Sequence, residues 1–158
     1  MLEAAFLVTE ECARLARWLR LCGYDAVLAA TYPLSELYQR AYHERRVVVT
    51  RNRRVTASCL FRVVHLDSTG LDAQMQQLMH QLHLTIRAQQ LFTRCDRCNI
   101  AVEPVDKTQV QSLVPPYVFQ TQQTFHACPS CHRIYWAATH WQRACRWLDR
   151  LREEASHA

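Results

Sequence analysis

Residues 47–55 read Val-Val-Val-Thr-Arg-Asn-Arg-Arg-Val, three β-branched residues in a row that give way at once to polar ones. The run is too short for a helix and apolar on both faces, which predicts a strand buried on both sides of a parallel sheet. Its exit delivers Thr50, Arg51, Asn52, Arg53 and Arg54 to the rim of that sheet, and none of them is a carboxylate.

The flanking pattern repeats the same alternation. Upstream, AAFLV (4–8) reads as a strand, TEECARLARWLRLC (9–22) as a helix stopped by Gly23, DAVLAA (25–30) as a second strand, and SELYQRAYHER (35–45) as a helix with Ser35 as N-cap. Downstream, FRVVHL (61–66) reads as a strand and LDAQMQQLMHQLHL (71–84) as a helix. Strands alternating with helices predict an α/β fold, a parallel sheet flanked by helices. Near residue 92 the periodicity stops, and it resumes only in a last helix, HWQRACRWLDRLREEA (140–155). The expected domains are therefore 1–91, the α/β sheet, and 92–158, a small module with a C-terminal helix.

The chain has 158 residues, a formal charge of +5, and one lysine, Lys107, among its 19 basic residues. Arginine pairs bidentately with phosphate and stacks on bases, so the excess fits a nucleic-acid partner; a codon bias toward arginine explains it equally well. No apolar run approaches the roughly 18 residues of a membrane span, and the first residues carry acids where a signal peptide carries bases. The expected location is cytoplasmic.

Eight cysteines in a reducing compartment point to metal ligation rather than disulfides. Cys95 and Cys98 in RCDRCN, and Cys128 and Cys131 in HACPSCHRIYW, form two C-x-x-C knuckles suited to a tetrahedral, structural zinc ion in a zinc ribbon. CPSCH also matches covalent haem attachment, but that chemistry needs export and leaves CDRC without a role. His126 and His132 flank the second knuckle and read as surface residues, since four thiolates already complete the site. Cys12, Cys22, Cys59 and Cys145 read as small buried hydrophobes.

Taken together, FLVTEECARLARWLRLCGYD, VVVTRNRR, LDAQMQQL, RCDRCN and CPSCHRIYWAATHW resemble, in order and spacing, the Mut7-C family, whose members join a PIN-like ribonuclease domain to a C-terminal zinc ribbon. The resemblance runs from Phe6 to Trp141, and its most specific parts are LARWLR and YWAATHW. It implies a PIN-like fold in which acids at the carboxyl ends of parallel strands hold Mg²⁺ or Mn²⁺ for phosphodiester hydrolysis. Two of those acids are replaced: Thr9 stands where the family has Asp after its first strand, and Asn52 where it has Asp in a T-R-D step. Asp25 matches a family acid, and Asp67 follows the fourth strand. Glu10 and Glu11 adjoin Thr9, but on a first helical turn their carboxylates are expected to point elsewhere and to serve the helix dipole. Thr9 is equally an N-cap and Asn52 a turn residue.

With two carboxylates lost, Arg51, Arg53 and Arg54 shift the rim from cation toward anion binding, and Arg14, Arg17 and Arg20 on the first helix either extend that surface or form a solvated face. His140 either orients a phosphate or caps the last helix. Trp141 either stacks on a base or seals the ribbon by packing. The leading reading is an RNA-binding protein, structured RNA such as tRNA included, with a degenerate nuclease centre. One alternative is a weak or conditional metal-dependent ribonuclease using Asp25 and Asp67; another is a protein-binding adaptor on the same scaffold.

Overall fold

Val47–Thr50 does form a strand, β3, at the centre of a parallel sheet. The computed structural model describes residues 4–137 and 139–156, without the side chains of 139–140, 152 and 154–156. It divides the chain into two compact units, Met1–Arg20 with Tyr24–Thr85, and Leu21–Gly23 with Ile86–Ala158. No helix of the described residues is long and apolar enough to cross a membrane.

In the first unit β1 (Phe6–Thr9), β2 (Ala26–Ala29), β3 and β4 (Val63–His65) pair in the order β2-β1-β3-β4, all parallel. Three helices follow the strands: α1 (Ala13–Leu21), α2 (Leu34–His43) and α3 (Leu71–Leu82). Side chains alternate across a strand, so Leu7 and Val48 share one face. They bury themselves there with Leu37 and Ala41 of α2 and with Val55. Phe6, Val8 and Val49 point to the opposite face and are wholly buried, as are Leu15 and Leu19 of α1 and Met75 and Leu78 of α3. Burial on both faces is what the uninterrupted apolar strands demanded. One expectation fails in detail: α2 starts at Leu34, with Pro33 as its N-cap, and Ser35 lies inside the first turn. The proline ring fixes φ near −61° and sets the chain's entry into the helix two residues early.

In the second unit β5 (Glu103–Val105), β6 (Phe125–Ala127) and β7 (Ile134–Trp136) make an antiparallel sheet in that order. The connection from β5 to β6 contains a helix that the periodicity did not announce, α4 (Pro116–Thr121). Six residues are too few to show a 3.6-residue period, and the helix is started by Pro116 at its first position. Val110 and Val114 from this connection pack with Phe125 into a small apolar core. The last helix, α5, spans Thr139–Ser156. Of the cysteines expected to be buried, Cys12 and Cys22 are, Cys145 is half-buried, and Cys59 is exposed in the loop before β4.

Gly23 ends α1 with φ +89°, and a Cβ there would stand 2.6 Å from the Gln90 carbonyl oxygen. A side chain must bear both the left-handed backbone and a collision with backbone that cannot swing away. Gly23→Ala is expected to cost about 2 kcal/mol or more, read as a lower urea midpoint at an unchanged slope.

Candidate functional site

The register Val8↔Val49 sets Thr9 beside Thr50 at the carboxyl ends of the two central strands. The strand order reverses between β1 and β3, since the chain first steps from β1 to β2 and then crosses back to β3. Open α/β sheets bind ligands outside the carboxyl ends at such a switch point.

The Thr9 and Thr50 hydroxyl oxygens are 2.8 Å apart there. A single 3₁₀ turn, Glu10–Cys12, then folds the chain back over the strand ends. Glu11 Oε1 accepts from the Thr9 hydroxyl (2.6 Å), the Thr50 hydroxyl (2.8 Å), and the backbone N–H groups of Arg51 (2.9 Å) and Asn52 (3.1 Å). Burial pushes the Glu11 carboxyl up, but Thr9, the Arg51 N–H and Thr50 outweigh it and hold the group at about 2. This corrects the expectation that the acids beside Thr9 point elsewhere: the rim does hold a carboxylate, delivered from position 11. Thr9 caps no helical N–H with its side chain, because its hydroxyl is turned to Glu11.

Asn52 behaves as a turn residue. Its Oδ1 accepts from the Arg54 N–H at 3.0 Å, and its carbonyl accepts from the Val55 N–H at 3.1 Å. Asp67 lies at the same rim, because the adjacent Leu66 N–H bonds the Thr50 carbonyl at 2.8 Å. Arg53 reaches its Oδ1 (2.7 Å) and the Gln77 side-chain amide its Oδ2 (3.0 Å), while Gln77 also bonds the Asp67 N–H and the His65 carbonyl. The glutamine-rich face of α3 thus splints the exit of β4, a role the sequence pattern did not reveal.

Asp25 is elsewhere. It precedes β2, its carbonyl accepts the Phe6 N–H at 2.8 Å, and Phe6 pairs with Ala26, so it sits at the amino ends of the strands. Its carboxylate is gripped by Arg46 at 2.9 and 3.0 Å. Asp25 and Asp67 occupy opposite ends of the sheet, which overturns the reading that the two share a metal. Arg20 is corrected for the same reason: its Nε bonds the Ala26 carbonyl at 2.7 Å, at the far end from the rim. Arg14 and Arg17 are exposed on α1, Arg14 near the rim where the helix starts. Arg51 is half-buried, and Arg54 is exposed.

The second unit brings Cys95, Cys98, Cys128 and Cys131 together, with all four sulfurs within 4.8 Å of one another. Four sulfurs at about 2.3 Å from a tetrahedral ion stand about 3.8 Å apart. The Cys95 and Cys131 sulfurs are 3.7 Å apart, and the Cys98 N–H points back at the Cys95 sulfur at 3.3 Å. The donor set and its spacing fit structural zinc, and all four ligands being thiolates leaves no position for a reacting water. Burial raises the Cys95 thiol, but the Tyr135 hydroxyl and the Cys98 and Arg97 N–H groups bring it down to about 7. Tyr135 ties this centre to buried Asp96, donating to it at 2.7 Å, and Arg133 pairs with the same carboxylate at 3.2 Å.

A family model described as the Mut7-C RNAse domain matches residues 4–148, a span that takes in both the rim and the four cysteines. The chain belongs to the Mut7-C family. No curated protein and no solved structure matches it. In this Mut7-C chain the carboxylates at the rim are Glu11, whose Oε1 is already met by four donors, and Asp67, both of whose oxygens are engaged. Hard divalent cations need several oxygen ligands at once. Among the described residues, the four cysteines are the one cluster of three or more His, Cys, Asp or Glu side chains close enough to hold an ion. At the rim, Glu11 Oε1 and both Asp67 oxygens are thus engaged by donors of the protein itself. Of the aromatic segment, Trp141 is half-buried and lines a cleft in the second unit, whereas the side chain of His140 lies outside the described residues.

Proposed function

We propose that this Mut7-C protein binds RNA, holding phosphates at the rim of its parallel sheet, and cleaves it slowly or not at all. One observation carries the reading: at the switch point, Thr9, Thr50 and the N–H groups of Arg51 and Asn52 form a set of donors that already meets the Glu11 carboxylate at Oε1, so the charge the rim offers to a partner is that of its arginines. Such a set is suited to negative charge, not to a cation. Exposed Arg14 and Arg54 and half-buried Arg51 add positive charge around it. Membership of an RNAse family supports RNA as the source of the phosphates. The zinc ribbon then serves as scaffold, and the expected address of the protein is the cytoplasm.

The test is a nuclease assay with Mn²⁺ on the natural chain beside the Thr9→Asp, Asn52→Asp double variant, with metal content measured on both. Thr9→Asp removes a donor to Glu11 and sets a second carboxylate against it, so the variant is expected to lose stability until a divalent cation screens the pair. Manganese should then raise its melting temperature while leaving the natural chain unmoved beyond its zinc content. Mn²⁺-dependent cleavage by the natural chain that disappears in Asp67→Asn would overturn the reading in favour of an active enzyme.

A further inference from the structure

The four cysteines of the second unit are not equally open to solvent. Cys95 and Cys128, the first cysteine of each knuckle, are wholly buried, whereas Cys98 and Cys131, the second of each, are half-buried. The Cys95 sulfur is covered further: the Tyr135 hydroxyl lies 3.1 Å from it and the Cys98 N–H 3.3 Å, and Tyr135 is itself buried and held to Asp96. Cys95, Cys128 and Tyr135 form the buried cluster, against which Cys98 and Cys131 are packed on its more open side chains' terms, partly exposed. Zinc ligands are thiolates, and the thiolate is the form of cysteine that attacks an oxidant, so access selects which of the four reacts.

We propose that Cys98 and Cys131 are an oxidation site for hydroperoxides, at which the two close a disulfide across the knuckles and the metal is released. One of the two thiolates attacks a peroxide oxygen; the O–O bond breaks, hydroxide leaves, and the sulfur becomes a sulfenic acid. The other thiolate attacks that sulfur and displaces a second hydroxide, so two electrons pass from the sulfur pair to the peroxide, and both hydroxides take up protons to become water. Cys95 and Cys128 are left as two ligands, too few for a closed tetrahedral site, and take up protons as the ion departs. The choice of pair follows from what must move. All four sulfurs lie within 4.8 Å of one another, and a disulfide needs two of them at about 2 Å. Cys98 and Cys131 are partly exposed and make that approach without unpacking, whereas Cys95 and Cys128 would have to leave the buried cluster they share with Tyr135. Because the ligands are part of that cluster, oxidation removes the metal and the fold of this unit together.

The test uses the zinc-loaded full chain and hydrogen peroxide, with released zinc read by a chromogenic chelator and the cysteines mapped by alkylation and peptide mass spectrometry without reduction. The expected result is loss of one zinc and two thiols of the cluster per chain, with Cys98 linked to Cys131, and recovery of both on adding dithiothreitol and zinc. Cys98→His keeps a fourth ligand of a kind that zinc accepts but removes half of the pair, so it is expected to hold its zinc through a peroxide treatment that empties the natural chain. Should that variant fold poorly, Cys131→His asks the same of the other knuckle, and the disulfide map of the natural chain decides alone. Cys59→Ser removes the exposed cysteine outside the cluster and should lose its zinc as the natural chain does. Protection in Cys59→Ser would make Cys59 the reacting thiol and overturn the proposal. Zinc retained at a peroxide dose that oxidises Cys59 in the natural chain, or zinc lost with any pairing other than Cys98 to Cys131, would overturn it as well.

Discussion

Stripping the metal with a strong chelator, or replacing Cys95 by Ser, is expected to unfold the second unit rather than merely loosen it. The reason lies in what its interior is made of. One apolar cluster among its described residues consists of Cys95, Cys128 and Tyr135, with Phe92, Val102, Cys98 and Cys131 against them, so the ligands are themselves part of the core. Another rests on Val110, Val114 and Phe125. Three strands of three residues each cannot hold such a segment, and structural zinc contributes about 10–16 kcal/mol in comparable small modules. The expected readouts are one zinc per chain, loss of near-ultraviolet dichroism from Tyr135 and Trp136, and loss of hydrogen-exchange protection in β5, β6 and β7. Cys59→Ser, at an exposed cysteine outside the cluster, should change none of these. A chelated chain that keeps its near-ultraviolet signal would show that apolar packing alone suffices. The dependence also has a direction in pH: zinc requires thiolates, so acidification should release it and lower the stability of this unit.

The parts of this architecture legible in the sequence are those carried by local pattern. VVVT is apolar without interruption because β3 is central and covered on both faces, and two C-x-x-C pairs announce a tetrahedral thiolate site by spacing alone. The misread residues depend on register or on a single turn. Asp25 fits the family pattern, yet the pairing Phe6↔Ala26 places it at the end of the sheet away from Thr9. Arg20 shares a helix with Arg14, yet α1 runs back along the sheet and leaves it bonded to Ala26. Glu11 looked like a dipole-facing acid of a regular first turn, and only the tighter 3₁₀ geometry turns it over the strand ends.

Glu11 is also where the largest effect in the first unit is expected. Its carboxyl sits at about 2 in the folded protein against an ordinary 4.5, a depressed value, so it contributes stability that is fully present above about pH 4.5 and is lost as the pH falls toward 2. Because the residue is exposed, the full shift overstates the effect, and Glu11→Gln is expected to cost about 1–2 kcal/mol at pH 7. The cost should shrink toward zero as both chains are titrated from pH 4.5 to pH 2. Acid release of zinc weakens both chains alike, so the difference between their urea midpoints isolates the carboxylate. A difference that stays constant across this range would mean that Glu11 acts by shape and not by charge. Glu11→Ala goes further, for it leaves the Thr9 and Thr50 hydroxyls and two backbone N–H groups around a position that an anion can enter, with Arg51 and Arg54 in the same loop. That variant is expected to be less stable yet to bind RNA more tightly, by about tenfold at low salt, with a steeper salt dependence as a further phosphate is engaged. A catalytic carboxylate removed from a nuclease would have no reason to improve binding with this salt signature, so weaker or unchanged affinity in Glu11→Ala would count against the rim as a phosphate-holding surface.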